Sequence, residues 1–182
     1  MNKIDNPVID TPRLTMRLIE KSDLPDLFAV NGNEEVIRYT PHPAWKTPAD
    51  GEAWFERVMK NRASGEAIQF VIVLRETGRV IGIMVIFKFE EPTGQAEIGY
   101  SIAKEFWGKG LVTEALKAFV DFAFEKMGLK RLEGLLDPRN EASAKVLLKV
   151  GFKHEGHQRR NFHAKGETSD TGLYGLLRED PR

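Results

Sequence analysis

Apolar and polar residues alternate along Leu14-Thr15-Met16-Arg17-Leu18, a two-residue period that predicts a short half-buried strand. Ser22 then stands as a helix cap, with Asp23 and Pro25 suited to a first turn. Leu24, Leu27, Phe28 and Ala29 space the apolar face of a helix of about two to three turns that ends near Asn31-Gly32. Two prolines and two large aromatics make Arg38 to Trp45 an irregular loop. Thr47-Pro48-Ala49-Asp50 opens a second helix, whose apolar face is Trp54, Phe55, Val58 and Met59.

Ile68 to Leu74 and Val80 to Phe89 are β-rich runs joined through Glu76-Thr77-Gly78, so they read as an antiparallel pair. Ala96 to Ile102 follows as a strand with Ile98, Tyr100 and Ile102 on one face and Glu97, Gly99 and Ser101 on the other. Leu116, Phe119, Val120, Ala123, Phe124 and Met127 recur at helical spacing and stop at Gly128. Arg131 to Leu136 reads as strand, Asn140 to Val150 as a capped helix, and Phe152 onward and Leu173 to Leu177 as further strands. That order implies an α/β (α+β) chain whose mixed sheet carries helices on its faces.

Composition narrows the function. At 182 residues the chain has room for one domain with a substantial core, and no repeat or linker divides it. Residues 1–9 read as a loose N-terminal arm. With 27 Lys+Arg against 27 Asp+Glu, no global field draws it to nucleic acid or an anionic membrane. The absence of Cys removes disulfides, thiolate nucleophiles and cysteine metal sites, and with no leader or spanning run the expected location is cytoplasmic. His154 and His157 alternate faces in a strand and do not share a metal, so no metal is expected. The basic run His157 to Lys165 reads as a solvated edge, and an exposed edge strand leaves a homodimer open.

The informative segment is Phe106-Trp107-Gly108-Lys109-Gly110-Leu111-Val112-Thr113, between a strand and the most amphipathic helix. Glycines there let a ligand approach the backbone, and free helix N–H groups favour a diphosphate; a tight strand-to-helix turn is the competing account. A Walker A loop fails because Ala103 stands where its first glycine belongs and Gly110 follows Lys109. A dinucleotide fingerprint fails because no third glycine stands near Thr113.

Ala96-Glu97-Ile98-Gly99-Tyr100, Trp107 to Ala115 and Asn140-Glu141-Ala142-Ser143…Gly151-Phe152, taken in this order, resemble the GCN5-related N-acetyltransferases (GNAT). Thr11-Pro12-Arg13-Leu14 and the closing Glu155-Gly156…Gly166…Asp170…Tyr174 are similar to the branch of ribosomal-protein N-terminal acetyltransferases. The resemblance covers residues 10–178 and implies a single-domain, mostly antiparallel sheet of about six to seven strands. It implies an acetyl-CoA-dependent transfer to a primary amine, with a protein or peptide N-terminus as the leading acceptor. The alternatives are a small amine (amino acid, polyamine or aminoglycoside) and a non-catalytic acyl-CoA-binding module.

On that resemblance acetyl-CoA lies between the Glu97–Ile102 and Arg131–Leu136 strands. Ile98, Tyr100 and Ile102 line it, and Trp107, Gly108, Lys109, Gly110, Leu111, Val112 and Thr113 hold its diphosphate. The family motif commonly has Gln or Arg where Trp107 stands and Gly or Ala where Val112 stands. Amine acetylation needs a base, an oxyanion donor and a proton for the thiolate. The resemblance offers Glu97 as base, Asn140 and Ser143 as pantetheine contacts, and Ser143 or Tyr174 as acid. Tyr39 and Trp45 stand either as acceptor-side wall or as anchors of their loop.

Overall fold

The computed structural model describes residues 6–182. Eight strands form one sheet in the order β1-β2-β3-β4-β5-β6-β8-β7. They are β1 (Val8–Asp10), β2 (Leu14–Leu18), β3 (Ala67–Leu74), β4 (Val80–Glu90), β5 (Gln95–Ile102), β6 (Arg131–Leu136), β7 (Lys153–Ala164) and β8 (Glu167–Leu177). The helices are α1 (Leu24–Asn31), α2 (Pro48–Ser64), α3 (Leu111–Glu125) and α4 (Glu141–Val150). Every neighbouring pair runs antiparallel except β5 and β6. None of the described helices is long and apolar enough to cross a membrane.

The two faces of the sheet bury two separate cores. Phe119, Val120, Phe124, Leu147 and Val150 of α3 and α4 pack with Leu14, Phe70, Ile86, Ile98 and Leu132. On the other face Leu27, Val30 and Trp54 of α1 and α2 pack with Val71 and Val80. The Thr47 cap works as its sequence indicates: Thr47 and Asp50 exchange bonds in a capping box ahead of α2.

Three boundaries differ from the sequence reading. Val8 and Ile9, expected in a loose arm, pair with Arg17 and Met16 as edge strand β1, while the first five residues of that arm lie outside the described chain. Helix α1 starts at Leu24 behind a 3-10 turn at Lys21–Asp23, so Ser22 is not its cap. Asp23 is buried and accepts both guanidinium nitrogens of Arg17, at 2.8 and 2.7 Å, which holds that turn in place. Finally β8 begins at Glu167, well before Leu173, because Lys165 and Gly166 form a tight hairpin turn with φ of 51° and 78°. The extra residues, 167–172, include no large apolar side chain, so no apolar alternation marked them.

Candidate active site

The cleft is made where pairing stops. Strands β5 and β6 pair in parallel at Gln95↔Arg131, Ala96↔Leu132 and Glu97↔Glu133. Beyond that rung Ile98 to Ile102 stay with β4, while Gly134 to Leu136 stay with β8. The two strands therefore diverge, and a cleft of about 1430 Å³ passes between them and along the N-termini of α3 and α4.

At one end of the cleft, the turn before α3 opens the helix on two left-handed glycines. Gly108 and Gly110 have φ of 72° and 73°, and Gly110 is the left-handed cap of α3. A side chain at either position would strain that backbone. The amide of Glu114, on the Gly110 carbonyl at 3.0 Å, closes the first helical bond, so the amides of residues 108–113 precede the ladder. Gly108, Gly110, Leu111, Val112 and Thr113 line the cleft. Trp107, 46% exposed, is fixed by its indole N–H on the Ile102 carbonyl at 2.9 Å. Lys109 turns away, its ammonium 5.2 Å from the centre of the Phe106 ring. Residues of this kind fit a diphosphate, since oriented amides and the helix dipole attract it.

Ile98, Tyr100 and Ile102 line the middle of the cleft. The Tyr100 hydroxyl crosses it and donates to the Ser143 carbonyl at 3.2 Å, tying β5 to the first turn of α4. Burial raises the Tyr100 pKa well above its ordinary value, so the phenol stays protonated. Asn140 caps α4, its side-chain oxygen accepting the Ser143 amide at 3.2 Å, and both residues face the cleft.

Glu97 stands at the last shared rung, with its side chain 12% exposed and Oε2 accepting from Lys88 Nζ at 2.6 Å. Ile83, Val85 and Phe87 of β4 line the same wall, so Lys88 belongs by alternation on the other face. A bulge between Phe87 and Glu90, with Lys88 at φ 52°, turns its side chain onto the cleft. The sequence reading missed Lys88, because Phe87-Lys88-Phe89-Glu90 reads as unbroken alternation. Lys165 was missed as well. Its ammonium donates to the Ile37 and Arg38 carbonyls at 2.8 and 2.9 Å, where burial lowers its pKa.

Two aromatic candidates fall elsewhere. Trp45 is 5% exposed and packs 6.3 Å from Phe28 and 5.3 Å from Trp54, measured between ring centroids. It anchors its loop in the α1–α2 core and does not wall the cleft. Tyr174 packs against the opposite core, its ring 5.0 Å from that of His154, and it is not among the cleft residues. Ser169, Asp170 and Thr171 of β8 line the cleft, and Tyr174, further along the strand, does not. Tyr39 does reach the cleft: its hydroxyl donates to the Arg139 carbonyl at 3.3 Å. Arg139 in turn bonds Asp137 and, through Nη1, Glu167 at 2.7 Å. The loop after α1, the β6–α4 turn and the tip of the β7–β8 hairpin thus meet in one clasp over the cleft.

Residues 13–153 match the family model of the acetyltransferase (GNAT) domain. The uncharacterized N-acetyltransferase p20 of Bacillus licheniformis is 31% identical over 93% of this chain and 96% of its own. The ribosomal-protein-S5-alanine acetyltransferase of Vibrio fischeri superposes with a TM-score of 0.79 at 24% identity, covering 97% of this chain and 100% of the other. The spermidine N-acetyltransferase of Vibrio cholerae, solved with CoA and spermine, gives 0.81 at 21% identity over 93% and 98% of the two chains. With a diverging strand pair, a glycine turn at α3 and a matching family model over most of its length, the chain belongs to the GNAT acetyltransferases and is an N-acetyltransferase.

Proposed function

We propose that the protein transfers the acetyl group of acetyl-CoA directly to the N-terminal amine of a protein or peptide within a ternary complex. The observation that carries this reading is the end of β5–β6 pairing at Glu97↔Glu133, which opens a slot beside the amides of residues 108–113. In this reading those amides hold the diphosphate, and Trp107 and Lys109 flank them. The pantetheine arm runs past Ile98, Tyr100 and Ile102 toward Asn140 and Ser143, and the thioester stops beside Glu97.

Glu97 takes a proton from the acceptor ammonium, directly or through one water, leaving a neutral amine. The nitrogen attacks the thioester carbonyl, and a main-chain N–H of β5 stabilises the tetrahedral oxyanion. Collapse breaks the C–S bond, and the Ser143 hydroxyl passes its proton to the departing thiolate while it regains, through water, the proton that the attacking nitrogen sheds on becoming the amide. No covalent enzyme intermediate is needed, in keeping with a chain that has no Cys.

Lys88 supports a peptide amine over a polyamine. Its cation already balances Glu97, so a second and third ammonium on the acceptor meet repulsion there. Thiol release from acetyl-CoA, measured against N-terminal peptides, spermidine, amino acids and aminoglycosides, tests the reading. A higher kcat/KM for peptides is the expected result. Spermidine as the best acceptor would replace the peptide assignment, and thiol release with none of them would leave only a CoA-binding module.

A further inference from the structure

We propose that Arg13 is a positioning residue for the diphosphate, acting from behind the turn through one peptide plane. This rests on reading the amides of residues 108–113 as the diphosphate cradle. Arg13 Nη1 donates to the Lys109 carbonyl at 3.0 Å, and its Nε donates to Glu114 Oε2 at 2.7 Å. Its backbone N–H donates to Glu114 Oε1 at 2.9 Å, an oxygen that also accepts from the Thr11 hydroxyl at 2.6 Å. Residues 11–13 form the β1–β2 turn, which is itself fixed. Thr11 N–H bonds the Leu14 carbonyl at 2.9 Å, and Arg75 donates to Arg13 and Thr11 carbonyls at 3.0 and 2.9 Å.

The peptide between Lys109 and Gly110 is trans and planar, so its carbonyl and its N–H point in opposite directions. Glycines on both sides of Lys109 leave that plane wide torsional freedom. Arg13 removes the freedom by holding the carbonyl on the outer side, where neither Arg13 nor Lys109 lines the cleft. The Gly110 N–H is thereby aimed inward, and Gly110 does line the cleft.

Arg13 has a second effect. Glu114 lies in the first turn of α3, close to where an anion would sit, and an unpaired carboxylate there would repel it. Paired with Arg13 and the Thr11 hydroxyl, that charge is answered locally. Thr11 and Arg13, read from sequence only as part of a resembled opening, thus acquire a mechanical role.

The test compares binding of CoA and of pantetheine, which lacks the diphosphate and nucleotide, by calorimetry, so no acceptor is required. For Arg13→Ala the expected result is a loss of CoA affinity of about tenfold, with pantetheine affinity unchanged. Arg13→Lys, which keeps the charge but not the fork, should stay closer to Ala than to wild type. Equal losses for both ligands, or unchanged CoA affinity in a folded variant, would overturn the proposal. If wild type binds CoA and pantetheine alike, the cradle reading falls first and the role of Arg13 with it.

Discussion

Lys88, its side chain 65% exposed, reaches Glu97 by way of a bulge and sets its ammonium 2.6 Å from the Glu97 carboxylate. Under the proposed function, a cation held there discriminates among acceptors by their charge. Lys88→Met should raise the kcat/KM of spermidine relative to a peptide with neutral flanking residues, by about fivefold at low salt. Competition assays with the two acceptors measure the ratio, and a ratio unmoved by the substitution would remove Lys88 from acceptor selection.

Glu97→Gln keeps the size of the side chain and its place at the last rung but removes the carboxylate proposed as the base. The expected change is a fall in kcat of about a hundredfold or more, with CoA affinity nearly unchanged. Steady-state kinetics beside calorimetry decide it. A matching loss of CoA affinity would recast Glu97 as a donor-site residue.

The two loop aromatics separate cleanly. Trp45→Ala removes a ring buried among Phe28 and Trp54 and should cost about 3–5 kcal/mol of stability, read by urea unfolding. Tyr39→Phe loses one hydroxyl at the cleft and should change acceptor KM while altering stability by less than about 1 kcal/mol. Reversed behaviour would exchange their roles.

Glu114 makes the Arg13 contact sensitive to pH. Partial burial opposes its ionisation, but donation from Thr11 and from the Arg13 backbone and guanidinium outweighs this and holds its pKa below the usual carboxylate value. A depressed folded pKa contributes stability above the unfolded value, lost as pH falls through the folded one. The melting-temperature gap between wild type and Glu114→Gln should therefore be present at pH 7 and close as pH drops below about 4. A gap independent of pH would mean that the charge of Glu114 contributes nothing.

The elements built from strong periodicity were legible in the chain itself. Helix α3 shows its whole apolar face in Leu116 to Phe124, and the Thr47 and Asn140 caps announce themselves by residue type. The glycine turn was readable because positive φ at Gly108 and Gly110 is a property of the residue. What stayed hidden depends on register or on distant chain. Tyr174 and Trp45 looked available for the cleft, yet only strand parity and ring packing decide which way such side chains face. The bulge at Lys88 leaves no mark because the positive φ there is set by the β4–β5 register, not by a preference of lysine. Arg13 and Glu114 are 101 residues apart, and no local pattern couples them.

The clasp joins carbonyls of Ile37 and Arg38 to Lys165, and Arg139 to both Tyr39 and Glu167. Each of its three pieces therefore completes the other two. A graft of the hairpin tip that lacks counterparts of Lys165 and Glu167 leaves the Ile37 and Arg38 carbonyls unanswered and the Arg139 guanidinium with Asp137 alone, so the three pieces belong in one graft.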